Sequence, residues 1–198
     1  VDLSAYLEES EFIDWRQAGV LAHARGLAAG ADDTVEIARR CFLFVRDEIK
    51  HSWDYRLNPV TCRASEVLRH GTGYCYAKSH LLAALLRANG IPAGLCYQRL
   101  SAGESGPPYC LHGLNAVWLD GHGWYRIDAR GNKPGIDAQF SPPVERLAFR
   151  LKADESDLPG VFSSPQESVV RVLTGCTTVA EVYQNLPDLD TFTPAGAP

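Results

Sequence analysis

Residues 75–89, CYAKSHLLAALLRAN, restrict the possible fold more than any other stretch. Leu81, Leu82, Leu85 and Leu86, with Ala83 and Ala84 between them, surround the middle of a helix. A helix apolar on nearly all sides has to be covered on most of them. Gly90 stops it, and Ile91-Pro92 leads away into an extended run. The rest of the chain must therefore wrap this helix. At 198 residues it is long enough to do so as one domain with a substantial core. That core is expected over about 34–130, with N- and C-terminal extensions packed against it.

Three helices are expected before the central one. Residues 14–29 read as helical. In residues 32–51, Asp33 or Thr34 can cap a helix whose face is Val35, Ala38, Cys41, Phe42, Val45 and Ile49. After a polar and aromatic loop, Ser65 opens a short helix that Gly71 ends. Beyond the central helix come strand-like runs: AGLCYQRL (93–100), HGLNAVWL (112–119) and WYRIDA (124–129). The last two are separated by DGHG, a hairpin signal flanked by Trp118 and Trp124, which should cover the sheet. Residues 101–109 and 129–143 read as loops, the first with the option of walling a cleft; VERLAFRL (144–151) reads as a further strand. Two short helices are expected near 165–173 and 178–185, and a loose tail after Pro187. Helices, a buried helix and then antiparallel strands make an α+β fold.

Composition removes several function classes. The net charge is −5 with no basic stripe, so no nucleic-acid partner is expected. No apolar run approaches the ~18 residues of a membrane span, and the N-terminus lacks a signal-peptide pattern. The six cysteines, at 41, 62, 75, 96, 110 and 176, show neither zinc-ribbon nor thioredoxin spacing. The expectation is a cytoplasmic, mostly reduced protein, with a removed leader left open, and with no metal or organic cofactor.

One cysteine is placed for chemistry. Cys75 stands where the central helix begins, behind Gly71 and Gly73. Backbone N–H groups and the positive end of the helix dipole favour a thiolate there. The two glycines leave room for a substrate backbone or a tight turn. An isolated cysteine would still be read as packing, because free Cys is commonly buried. The hairpin changes that balance. A thiolate nucleophile needs a base, and the base needs an orienting group. His112 begins the first hairpin strand and Asp128 ends the second.

This arrangement resembles the transglutaminase-like superfamily, a branch of the papain-like thiol enzymes. The matching pattern is Gly-x-Cys at a helix start (GYC), His opening a strand (HGLNAVWL), and Gly-Trp-x-x-apolar-Asp closing the next (GWYRID). It spans roughly residues 40–130. The resemblance implies a papain-like core, with the helix carrying Cys75 packed on an antiparallel sheet. It also implies Cys75 as nucleophile, His112 as general base and acid, and Asp128 as the residue orienting His112. A departure is Leu114, where many relatives carry an aromatic two positions after the histidine. The implied function is a cysteine peptidase or amidase acting on a peptide, protein or small amide through an acyl-enzyme thioester. A glutamine acyltransferase (transglutaminase) and a non-catalytic binding module of the same fold stand as alternatives.

The assignment carries a geometric condition. Side chains alternate across a strand. A two-residue loop at Gly121-His122 would set Asn115 opposite Asp128 and turn His112 to the other face. The triad requires an odd shift, with Leu114 opposite Asp128 and His112 as its diagonal neighbour. For the oxyanion, the Cys75 N–H is one donor; Trp53 or His51 could be the second, with Gly73 and Tyr74 lining the cleft. Trp53 and Tyr55 also suit plain packing. Cys110 could share the His112 face and is the runner-up nucleophile. His80 lies about 140° round the helix from Cys75 and should face elsewhere. His23, His51, His70 and His122 sit in helical or turn contexts and are expected to be solvated.

Overall fold

Every residue of the central helix from Cys75 to Arg87 is buried in the computed structural model of the protein, which describes residues 2–188. In chain order the helices are α1 (Ala18–Ala28), α2 (Thr34–Asp47), α3 (Ser52–Tyr55), α4 (Ala64–His70), α5 (Cys75–Ala88), α6 (Glu167–Gly175) and α7 (Val179–Gln184). The strands are β1 (Lys50–His51), β2 (Thr72–Gly73), β3 (Ala93–Ser101), β4 (Tyr109–Leu119), β5 (Gly123–Ile127) and β6 (Ser156–Asp157). Helices α1, α2 and α4 and strands β3 and β4 all pack against α5.

The polar residues of α5 explain how so buried a helix is tolerated. Each is bonded to a backbone carbonyl, as a buried polar group must be. Ser79 Oγ donates to Cys75 O at 2.8 Å, and His80 Nδ1 pairs with Cys62 O at 2.8 Å. Arg87 donates to the carbonyls of Ala93, Glu8 and Ser163. Lys78 Nζ reaches the carbonyls of Arg46, in the last turn of α2, and of Ile49, just past its end. These side chains fasten the surrounding loops to the helix. Its exit is the expected one, through Gly90 at φ 72°.

The N-terminal helices follow their sequence signals, with shifts at the ends. Asp33 caps α2 by accepting from Glu36 N at 2.8 Å, and Ala38, Cys41, Phe42 and Val45 form its buried face. Helix α1 begins at Ala18 rather than near 14, because the Asp14 carboxylate accepts from Ser65 N at 3.0 Å. Gly71 closes α4 at φ 65°. The stretch read as loop after α2 holds β1 and the single turn α3. Strand β1 pairs parallel with β2, joining the segment before Trp53 to the segment before Cys75.

The main sheet is antiparallel with the order β5-β4-β3-β6. Leu119 pairs with Gly123 and Asn115 with Ile127, so the hairpin loop has three residues, Asp120 to His122. Gly121 and Gly123 take φ 79° and 78°, a backbone region that favours glycine. This register sets Leu114 opposite Asp128, the odd shift the triad requires. Trp118 and Trp124 pair across the strands with rings 5.6 Å apart, edge to face.

Residues 144–151 are not a strand. Pro142 and Pro143 precede them without N–H donors, and the edge of β5 is met by a side chain instead of a ladder. Arg126 N donates to Glu145 Oε1 at 3.2 Å. The segment runs as a loop with one isolated bridge, Gln139 to Arg146. The late helices form as expected, and Val169, Leu173, Val179 and Val182 join the core. Of the tail, residues 189–198 lie outside the described residues.

Candidate active site

Cys75 is the first residue of α5, and Tyr74 before it is extended and makes no side-chain cap. No side chain caps the first N–H groups of α5, and the sulfur stands at the positive end of the helix dipole. Across from it, β4 approaches unusually closely. A Cβ at Gly113 would lie 3.0–3.2 Å from Tyr76, including its backbone, so only glycine fits there. That approach brings Gly113 N to 3.5 Å from Cys75 Sγ and His112 into hydrogen-bonding reach of the same sulfur.

His112 Nε2 lies 2.8 Å from Asp128 Oδ2. Asp128 is fully buried and accepts two further bonds, from Arg130 N and Ala148 N, both at 3.1 Å. Its pKa is lowered: burial opposes the charge, but His112 and the two backbone donors prevail. Burial also opposes a charge on His112. The Asp128 carboxylate and the Cys75 sulfur outweigh it and push the imidazole up to about 10. Phe149 packs edge-on against the ring, with centroids 4.8 Å apart, and fixes its plane.

Cys75 and His112 open on a cavity of about 330 Å³. Its walls include His51, Trp53, Tyr74, Leu100, Phe149 and Tyr183. Ser101, Ala102 and Gly103 also line it, so the start of the loop after β3 forms part of a wall. A larger groove of about 840 Å³, bordered by Arg126, Glu145 and Asp157, contains neither Cys75 nor His112.

The outlying candidates divide. Trp53 is held between Tyr183, stacked at 3.6 Å and 4°, and the Arg56 guanidinium, 3.2 Å from the ring centroid. Arg56 takes φ 55°, a strained conformation for a non-glycine, at the turn that sets this stack. His51 is buried rather than solvated, because β1 draws it inward against the Tyr74 ring. Burial and then the Arg130 charge drive its pKa well down, so the ring is neutral. Tyr74 walls the cavity and donates through its hydroxyl to Val179 O at 2.7 Å. Gly73 does not leave room for a substrate: a Cβ there would meet Ala77 at 3.1 Å and Thr61 at 3.3 Å, so the space serves internal packing.

The rival groups sit as follows. Cys110 lines the same cavity, but burial and the neighbouring Cys75 and Asp188 push its thiol up to about 11. His80 faces away from Cys75, toward Cys62. His23 is half-buried against Phe44, contrary to expectation, while His70 and His122 are exposed. Leu114 is buried with Cys96 and Ala116 in a small cluster of its own. Among the described residues no three His, Cys, Asp or Glu side chains cluster as a metal site, and no helix is long and apolar enough to cross a membrane.

Several neighbours of the site had no local signal in the sequence. Arg130 forms a buried ion pair with Asp54 at 2.7 Å, tying the Asp128 loop to the α3 turn that carries Trp53. Lys133 joins the same carboxylate at 2.7 Å. Lys78, one turn into α5, has its pKa lowered to about 7 by burial and the nearby Arg130. The contributions of Ala148, Phe149 and Tyr183 come from segments distant in the chain.

Comparison with known proteins agrees with this architecture. The sequence pattern of the transglutaminase-like superfamily matches residues 22–129. A search of curated proteins found no match. Among solved structures, a candidate cysteine protease from Cytophaga hutchinsonii superposes with a TM-score of 0.54 at 16% identity, over 81% of this chain and 53% of its own. The periplasmic domain of TgpA from Pseudomonas aeruginosa superposes with a TM-score of 0.50 at 18% identity, over 65% and 48%. The chain thus spans about half the length of these structures. The buried helix, the antiparallel sheet and the match over more than half its residues show that the chain belongs to the transglutaminase-like superfamily.

Proposed function

We propose that this protein is a thiol-dependent acyl-transfer enzyme, a cysteine peptidase or amidase that works through Cys75, His112 and Asp128. The observation that carries the reading is that His112, bonded through Nε2 to Asp128, and Cys75, at the start of α5, line one open cavity.

In this reading His112 takes the Cys75 proton. Its raised pKa suits an imidazolium standing beside a thiolate. The sulfur attacks an amide or ester carbonyl, forming a C–S bond while the carbonyl electron pair moves to oxygen. The Cys75 N–H and a donor from the 51–53 segment, Trp53 Nε1 or His51, face that oxygen. Collapse expels the amine, which takes the proton from His112 and leaves a thioester. Water, deprotonated by His112, then releases the acid and frees the sulfur. Asp128 keeps the ring in the required tautomer and orientation.

The test is mass-spectrometric trapping of an acyl adduct on Cys75 from a library of peptides and small amides. Adduct on Cys75 in the wild type and in Cys110→Ala, with none in Cys75→Ala or His112→Ala, is the expected pattern. Added amines that divert the acyl group from water would mark a transferase. Slow, uniform labelling of all six cysteines by iodoacetamide would remove the reading in favour of a binding module.

A further inference from the structure

The edge of β4 beside Cys75 is partly filled by the chain's own C-terminal segment. In β4 the N–H of Trp118 points toward the β3 side, to Pro92 O at 2.9 Å. Alternation along an antiparallel strand then turns the odd-numbered N–H groups to the opposite edge. Strand β5 occupies that edge from Asn115 to Leu119 and no further. The next two donors are Gly113 N, which points to Cys75 Sγ, and Leu111 N, which bonds Pro187 O at 2.7 Å. An open sheet edge next to a nucleophile is where the main chain of an extended substrate would add as a strand. Here the position at Leu111 is taken.

The occupying segment is well anchored. The Asp188 carboxylate meets the Arg99 guanidinium in two parallel bonds of 2.6 Å. Leu186 lines the cavity, and Tyr183 stacks on Trp53. Helix α7 is fixed from below by the Tyr74 hydroxyl on Val179 O and by Val179 N on Asn58 Oδ1 at 2.9 Å. Pro187 has no N–H, so the segment cannot continue the ladder itself. The segment lies outside the part of the chain that matches the superfamily. The remaining cavity, about 330 Å³, is at the small end for a ligand site.

We propose that residues 183–188 are a fixed stop at one end of the cleft. The substrate is then a small amide or ester, or the terminus of a peptide, whose reacting carbonyl lies within about one residue of its end on that side. An internal bond of an extended polypeptide is excluded. This rests on the acyl-transfer reading and specifies its substrate class.

The experiment compares rates of Cys75 alkylation, read by mass spectrometry. The probes are iodoacetamide, a peptidyl chloromethyl ketone that extends on the acyl side, and an N-iodoacetyl peptide amide that extends on the leaving-group side. The proteins are the full chain, Asp188→Ala, a chain ended after Asn185, and a control ended after Asp188. The expected result is that one extended probe labels Cys75 at least roughly tenfold faster in Asp188→Ala and in the chain ended after Asn185. Iodoacetamide should react alike with all four proteins, and the control should match the full chain. If the chain ended after Asn185 fails to fold, Asp188→Ala carries the comparison. Equal rates for both extended probes in the full chain and the released variants would overturn the stop. Iodoacetamide showing no preference for Cys75 in the full chain would instead sink the acyl-transfer reading itself.

Discussion

His112 Nε2 and Asp128 Oδ2 are 2.8 Å apart although the two residues are 16 positions apart on a hairpin. The contact depends on the three-residue loop from Asp120 to His122, which sets the strand register. One residue fewer in that loop would turn the imidazole to the other face of the sheet.

Replacing Asp128 by Asn should leave the fold intact and impair the chemistry. The amide keeps the shape but no longer stabilises the imidazolium or selects its tautomer. Turnover should fall by roughly 10²–10⁴ with little change in KM. The His112 pKa, followed by NMR, should fall from its raised position, because the nearest negative charge is gone. An unchanged pKa would mean that Asp128 does not govern the ring.

The pH dependence of stability should contain two opposed slopes. His112 has a folded pKa of about 10, above its ordinary 6.5, so its contribution is complete below about 6.5 and is lost as pH rises toward 10. Lys78 has a folded pKa of about 7, below its ordinary 10.5. Over that interval the unfolded chain binds the extra proton, so the Lys78 effect makes stability rise with pH. The two offset in the wild type. In Lys78→Met, urea midpoints should fall more steeply between pH 7 and 10 than in the wild type.

Gly113→Ala should damage both packing and reaction. Its Cβ would press on Tyr76 at 3.0–3.2 Å, and the Tyr76 backbone cannot swing away. A loss of about 1–3 kcal/mol in urea unfolding is expected, together with reduced Cys75 reactivity as β4 moves off the helix. Gly71→Ala is the contrasting case. It meets nothing within 4 Å and is strained only by its φ of 65°, so it should cost about 1–2 kcal/mol and leave Cys75 chemistry unchanged.

Trp53→Phe separates donation from packing. Phenylalanine can keep the stack with Tyr183 but has no ring N–H. If Trp53 Nε1 faces the oxyanion, kcat should drop by roughly 10²–10³ with KM and thermal stability retained. Full activity in Trp53→Phe would shift the second donor to His51.

Local pattern was enough to read much of this protein. A helix with leucines on all sides can exist only if it is covered, and a glycine-flanked hairpin announces its own turn. Cys75 and Asp128 were marked by position, at a helix start and just past a strand end, whereas His112, expected to open its strand, is the fourth residue of β4, which already begins at Tyr109. The shift that brings Leu114 opposite Asp128 followed only from the triad that the resemblance implies, because the hairpin read alone, with a two-residue loop, would have turned His112 to the other face. Elsewhere local pattern misled. VERLAFRL has strand-like residues, but Pro142 and Pro143 and the Glu145 contact leave it no ladder to join.

The tertiary structure decided whatever depends on partners far away in the chain. Ala148 and Arg130 complete the Asp128 hydrogen bonds, Phe149 holds the imidazole, and Asp54 reaches Arg130 across 76 residues. Tyr183 stacks on Trp53 and Pro187 O accepts from Leu111 N, both from outside the part of the chain that matches the superfamily. None of these residues carries a local signal for the contact it makes. Each is selected by what it meets after the chain has folded, and a contact between distant segments leaves no signature in either one alone.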